Sequence, residues 1–214
     1  MTIVYAAEYR SNAHLIAQLH NPLKYLQDDD LVLDTSFGSG AWWTEYRPPH
    51  LVTNAFPASL EAEYHYDIKN MPKEWRDRYS VVVWDPPYKL NGRPSGPDER
   101  YGVHVAATIE ERHKLACEGI RASAKLVHPR GYGMVKCMNQ VAWHNKHFQV
   151  LSFSNWAQVF CGLTLVDQFD NLRKPRAQQE FRVKMVNGKE KRVRVKQAHS
   201  RQNYSTLLVF QRLK

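Results

Sequence analysis

The stretch Val81-Val82-Val83-Trp84-Asp85-Pro86-Pro87-Tyr88 decides how this chain is read. An apolar, β-branched run bounded by proline is a strand signal, and two prolines cannot donate to a ladder, so the strand stops at Asp85. A carboxylate, prolyl carbonyls and a phenol ring then stand at a strand's carboxyl end, which is where open α/β sheets bind ligands. Taken alone, Asp-Pro-Pro is equally a turn opener.

Upstream, Leu31-Val32-Leu33-Asp34-Thr35-Ser36-Phe37-Gly38-Ser39-Gly40 is a second short apolar strand running into a glycine turn. Strands of this kind are buried on both faces in parallel sheets. Gly38 and Gly40 permit a tight turn and the close approach of a ligand to the backbone. The two stretches together resemble the paired signatures D-P-F-x-G-x-G and D/N/S-P-P-Y/F. These belong to the amino-methyltransferases, S-adenosylmethionine-dependent enzymes that methylate adenine N6 or cytosine N4 in nucleic acid.

The resemblance covers almost the whole chain and implies an α/β, Rossmann-like class I methyltransferase fold. Its sheet would be seven-stranded and mostly parallel, with an antiparallel last strand at 204–210. It further implies that Asp85, Pro86, Pro87 and Tyr88 are catalytic. Asp34, Thr35, Ser36, Phe37, Gly38, Ser39 and Gly40 would hold the methionine end of the cofactor S-adenosyl-L-methionine, Asn54 its ribose, and Asp67 and Ile68 its adenine. Ser36 occupies the slot where the family places phenylalanine, and no carboxylate follows Asn54 at once to grip the ribose. Arg173-Lys174-Pro175-Arg176-Ala177 and Asn203-Tyr204-Ser205 resemble phage-borne DNA methylases in particular.

With 214 residues the chain forms one domain, 1–214, long enough to bury about 70% of its unfolded surface. Its formal net charge of +9 favours a polyanionic partner. Three widely spaced cysteines, Cys117, Cys137 and Cys161, argue against a disulfide framework and a Cys-x-x-Cys metal site, and suggest a reducing cytoplasm. The first residues lack a signal-peptide pattern, and no run of about 18 apolar residues occurs, so a membrane partner is not expected.

Helical spacing of Leu15, Ile16, Leu19 and Leu23, with Ser11-Asn12 as a cap, predicts a packing helix. Ala41 to Tyr46 reads as a very short helix whose Trp42 and Trp43 pack in the core. Residues 104–127 read as a long amphipathic helix packing through Ile109, Leu115, Ala116, Ile120 and Leu126. Pro129-Arg130-Gly131 would end it, and Tyr132 to Met138 would form the next strand, with Asn139 at its mouth. Residues 147–162 read as a helix and 163–169 as a strand. His144 and His147 lie three apart, but no third ligand is near in sequence, so no metal is expected.

The segment 89–102 is a loop of roughly 14 residues, long enough to suggest function. Lys89, Arg93, Arg100 and Tyr101 in it are candidate nucleic-acid contacts. Strict alternation about Asn187-Gly188 predicts a β-hairpin over 181–196, inserted between the last two sheet strands and basic on one face. Its seven basic residues stand against the single Glu190. Arg182, Lys184, Arg192, Arg194 and Lys196, with His199 and Arg201 beyond, are candidates for tracking phosphates or entering a groove.

The resemblance thus implies methyl transfer to adenine N6 in DNA with base flipping. Asp in the first motif position favours adenine, while N4-cytosine and RNA adenine methylation stay open. A nucleic-acid-binding module that lost its cofactor is the alternative of another class.

Overall fold

A computed structural model describes residues 11–56, 61–86, 109–138, 140–144, 147–151, 162–172, 181–194 and 204–214. The first element, α1 (Asn12–His20), begins where the Ser11 hydroxyl accepts the His14 N–H at 3.0 Å, a standard N-cap bond. Its buried face, Leu15, Ile16 and Leu19, follows the 3–4-residue repeat of the sequence.

Three short apolar runs form the parallel half of the sheet: β1 (Leu31–Asp34), β2 (His50–Thr53) and β3 (Tyr79–Trp84). β1 lies between the others, in register Val32 to Leu51 and Val32 to Val81. Beyond β3 comes β4 (Val127–Cys137), also parallel. β10 (Tyr204–Gln211) then runs antiparallel between β4 and β7 (Thr164–Leu172). The order is β2-β1-β3-β4-β10-β7, a mixed sheet that has six strands among the described residues, where seven were expected. Past β2, the position of a seventh holds a single parallel bridge, Asn54 to Tyr64. The segment there is mostly exposed, and its Tyr64 and Tyr66 rings stack on each other and pack edge-on against Trp75.

Both sheet faces are covered. On one side α1 and Trp42, Trp43 pack over Val32, Val81, Val83, Met134, Leu207 and Val209. On the other, α2 (Ile109–Ala124) lays Ala116, Ile120 and Ala124 on Trp84, Val135, Leu208 and Phe210. Each aliphatic side chain so buried stabilises the fold by roughly 1.5–3 kcal/mol. Gly119 is needed for this contact, since a Cβ there would stand 2.3 Å from the Trp84 ring.

Several expectations are corrected. α2 stops at Ala124, and Leu115 is exposed while its neighbour Ala116 is buried. β4 begins before Pro129, not after Gly131: the register passes from Tyr79–Val127 to Val81–Tyr132, so residues 128–131 form a bulge. Arg130, at φ +70°, and Gly131 in that bulge bond to the Arg212 backbone instead of to β3. Residues 147–151 are a strand, β6 (His147–Leu151), paired antiparallel with β5 (Gln140–His144) across a two-residue connection. His144 and His147 are therefore cross-strand partners, not neighbours on a helix. Residues 152–161 of the expected helix lie outside the described residues.

β8 (Phe181–Val186) and β9 (Lys189–Arg194) pair antiparallel. Asn187 and Gly188 both have positive φ, 51° and 73°, as a type I′ turn requires. The register sets Lys184 opposite Lys191 and Val186 opposite Lys189, but Val183 opposite Arg192 and Met185 opposite Glu190. Cross-strand partners share a face. The basic residues are therefore divided between two faces rather than gathered on one, and every side chain from 183 to 192 is exposed.

Candidate active site

The ends of β1 and β3 lie side by side because Asp34 is in register with Val83. Thr35 extends the pairing: its N–H and its hydroxyl both donate to the Val83 carbonyl, at 3.0 and 2.6 Å. One residue on, the Ser36 hydroxyl accepts the Asp85 N–H at 2.7 Å. The glycine turn and the Asp85-Pro86 segment are thus tied backbone to side chain. Gly38 and Gly40 have φ of +58° and +70°, and a Cβ on Gly40 would press to 2.8 Å from the Phe37 ring. Both glycines are conformationally required.

Two carboxylates result, each with its own tryptophan. Asp34 is 2% exposed. Its Oδ1 accepts the Ser36 N–H at 2.9 Å and its Oδ2 accepts Trp43 Nε1–H at 2.7 Å. Burial pushes its carboxyl from 3.8 up to about 7; the Trp43 and Ser36 bonds oppose that rise and the negative field of Asp85 adds to it. Asp85 is more open, with 19% of its side chain exposed. Trp42 Nε1–H donates to its Oδ2 at 2.9 Å. Lys136, buried on β4, brings Nζ to 3.5 Å from the same oxygen and 5.4 Å from the Trp42 ring centroid. Beside it the Cys137 thiol is pushed up to about 12, first by burial and then by Asp170 and Asp85.

The sequence identified Asp34, Thr35, Ser36 and Asp85, and the structure brings them together. It missed Lys136 and the part played by Trp42 and Trp43. Both tryptophans are buried as expected for core residues, yet each also spends its N–H on a carboxylate. The signal for Lys136 was present: one charge inside the apolar run Met134-Val135-Lys136-Cys137-Met138.

Asn54, expected at the ribose, is buried and bonded to the backbone around it. Its carboxamide donates to the Thr35 and Tyr66 carbonyls and accepts the Tyr66 N–H at 2.8 Å, stitching the following segment to β2. Asp67 does not end a strand; its Oδ1 accepts the Lys69 N–H and caps the short 3₁₀ turn Ile68–Asn70, whose Ile68 is buried against α2. Lys184 and Arg192 lie on opposite faces of the ribbon. Arg182 and Arg194 lie on the same two strands, in register with Val193 and Phe181. Pro87, Tyr88, Lys89, Arg93, Arg100, Tyr101, Asn139, Lys196, His199 and Arg201 lie outside the described residues.

A cleft of about 840 Å³ opens at the opposite, amino edge of the sheet, lined by Arg76, Arg121, Lys125, Arg212 and Lys214 among others. Arg212 there pairs with Asp77 and donates to the Val127 carbonyl at 2.7 Å, a brace for the C-terminus. The paired carboxylates lie on the carboxyl edge, apart from this cleft. Among the described residues no group of metal-ligating side chains is present, and no helix is long and apolar enough to cross a membrane.

The parallel strands, the antiparallel β10 between β4 and β7, and a glycine turn at the carboxyl edge define a Rossmann-like methyltransferase fold. Solved structures agree. A putative methyltransferase from Bacillus halodurans superposes with a TM-score of 0.53 at 12% identity, over 94% of this chain and 99% of that one. The N-methyltransferase NodS from Bradyrhizobium japonicum gives 0.50 at 12% identity, over 92% and 94%. A putative DNA modification methylase from Thermus thermophilus, complexed with S-adenosyl-L-methionine, reaches only 0.39 at 14% identity, over 68% and 49%, too low to carry an argument. No protein family and no curated protein matches the sequence.

Proposed function

We propose that this protein transfers a methyl group from S-adenosyl-L-methionine to the exocyclic N6 amine of adenine in DNA. The observation that carries the reading is Asp85, followed by Pro86, braced at the end of β3 directly beside the glycine turn of β1. The cofactor fits the donor set. Two neighbouring carboxylates, one raised to about 7, are faced by one buried lysine, and a group bearing ammonium and sulfonium charge redresses that imbalance. The backbone of 35–40, with Asp34 beneath it, would hold the methionine end; the contacts of Asn54 and Asp67 leave the ribose and adenine to other groups. Bound there, the cofactor supplies an electrophilic methyl group.

The residues of the chain supply orientation. An adenine amine delocalises its lone pair into the ring and is a weak nucleophile. Acceptance of its two N–H groups by the Asp85 carboxylate and the Pro86 carbonyl localises that pair on nitrogen. Such acceptors act by positioning and electrostatics, without a covalent intermediate. The amine reaches them only if the base leaves its stack, and Tyr88, next but one to Pro86 in sequence, is the candidate ring to receive it. The β8–β9 ribbon is the candidate DNA contact, its face bearing Lys184, Lys189 and Lys191 suited to phosphates.

The test is transfer of labelled methyl to DNA and RNA oligonucleotides, with Asp85→Ala alongside. Adenine in DNA is the expected acceptor, and the variant should lose roughly 10²-fold or more in turnover. Full activity of the variant would sink the assignment. Transfer to RNA alone would move the substrate, and absence of cofactor binding by calorimetry would leave a binding module.

A further inference from the structure

β4 places an ammonium where its neighbours bury apolar side chains. Lys136 is 3% exposed, and a lysine taken that far from water costs several kcal/mol unless it is paired. Its partner is Asp85, whose Oδ2 receives both Lys136 Nζ, at 3.5 Å, and Trp42 Nε1–H, at 2.9 Å. The indole that holds Asp85 also presents its ring face to the ammonium, at 5.4 Å, a cation–π arrangement. Among the described residues, Asp34 on β1 and Lys136 and Cys137 on β4 are charged or titratable neighbours of Asp85, with Asp170 of β7 acting on Cys137 in turn.

We propose that Lys136 is a positioning residue for methyl transfer, acting through Asp85: together with Trp42 it fixes the Oδ2 of that carboxylate, and so the orientation of the whole group. The inference rests on Asp85 being the amine acceptor.

Three variants test it: Lys136→Met, which keeps most of the length of the side chain without charge, Lys136→Arg, which keeps the charge, and Lys136→Met combined with Asp85→Asn. At pH 7, Lys136→Met should lose about tenfold or more in kcat while KM for the cofactor changes less than about threefold. Lys136→Arg should recover most of the loss, and in the Asp85→Asn background the Lys136 change should have little further effect. Unchanged turnover in Lys136→Met, no recovery in Lys136→Arg, or a full additional loss in the double variant would overturn the proposal.

Nitrogen–proton NMR of the tryptophan indoles reads the clamp without catalysis, because Trp42 Nε1–H and Lys136 Nζ meet the same oxygen of Asp85. The Trp42 resonance should move in Lys136→Met and return close to its place in Lys136→Arg. If Lys136→Met does not fold, Lys136→Gln takes its place in both measurements, and an unmoved Trp42 resonance refutes the proposal. Should the unmodified protein transfer no methyl group, the reading of its function fails while the indole resonance still judges the clamp.

Discussion

Asp34→Asn separates the charge of the buried carboxyl from its shape. The Asp34 carboxyl titrates near 3.8 in the unfolded chain and at about 7 in the folded one. Between those values the folded state holds a proton that the unfolded state has released. Its contribution to stability is therefore fully present below about pH 4, declines as pH rises, and is lost above about pH 7. The slope is about 1.4 kcal/mol per pH unit and the whole loss on the order of 4 kcal/mol. A carboxamide does not titrate, but it accepts through one atom only. Trp43 Nε1–H and Ser36 N–H now meet different oxygens, so one of them would face an NH₂ group at a cost of about 1–3 kcal/mol. The variant should be the less stable protein at pH 5 and equal or more stable at pH 8. Urea unfolding, followed by tryptophan fluorescence to which Trp43 contributes, measures both. Stability of the unmodified protein minus that of the variant should fall by roughly 3 kcal/mol from pH 5 to 8 and then level off. A difference that is flat, or that grows with pH, would refute the reasoning.

Trp42→Phe keeps the ring beneath Lys136 and deletes the N–H that holds Asp85 Oδ2. Turnover should fall about tenfold, the worth of one positioned hydrogen bond, with the melting temperature altered by only a few degrees; an equal loss in cofactor affinity would argue for a packing role instead. Lys184→Glu with Lys191→Glu reverses two charges that share one face of the ribbon. DNA affinity should drop and its logarithmic salt slope should shrink by about 2 if both touch phosphate. Binding isotherms at several salt concentrations read both, and an unchanged slope would remove this face from the DNA contact.

The strands β1 and β3 and the position of Asp85 were legible because each rests on a local rule: a β-branched run ends where proline or glycine ends it. β5 and β6 were not, since runs of five residues satisfy helix and strand patterns alike. The ribbon shows a subtler limit. Alternation along each strand was read correctly, but a two-residue turn at 187–188 pairs residues whose numbers add to an odd total, such as Val183 with Arg192. An odd, apolar position on β8 therefore shares its face with an even, basic position on β9. Parity within a strand is written in the sequence; parity between strands is set by the turn. Lys136 is a third kind of case, because a lone charge in an apolar run is explained only by what another strand places opposite it.

The departure of this chain from the glycine-turn pattern has a structural logic. Phenylalanine two residues after the aspartate would leave the Asp85 N–H without the hydroxyl that now accepts it at 2.7 Å. With Ser36 in that slot the aromatic moves to Phe37, whose ring lies over Gly40 and under the Arg47 guanidinium, 5.8 Å from its centroid. Gly40, in the left-handed region, then opens the 3₁₀ turn Ala41–Trp43. Successive side chains of a 3₁₀ turn diverge by about 120°, three residues making one turn. That geometry lets two adjacent tryptophans reach different strands, Trp43 to Asp34 of β1 and Trp42 to Asp85 after β3. A single short turn thus fixes the carboxyl at the end of β1 and the carboxyl that follows β3 relative to each other. Lys136 then completes the second clamp from β4, so that the carboxylate proposed as the amine acceptor is held by Trp42 from one segment and Lys136 from another, while Ser36 holds the Asp85 backbone N–H.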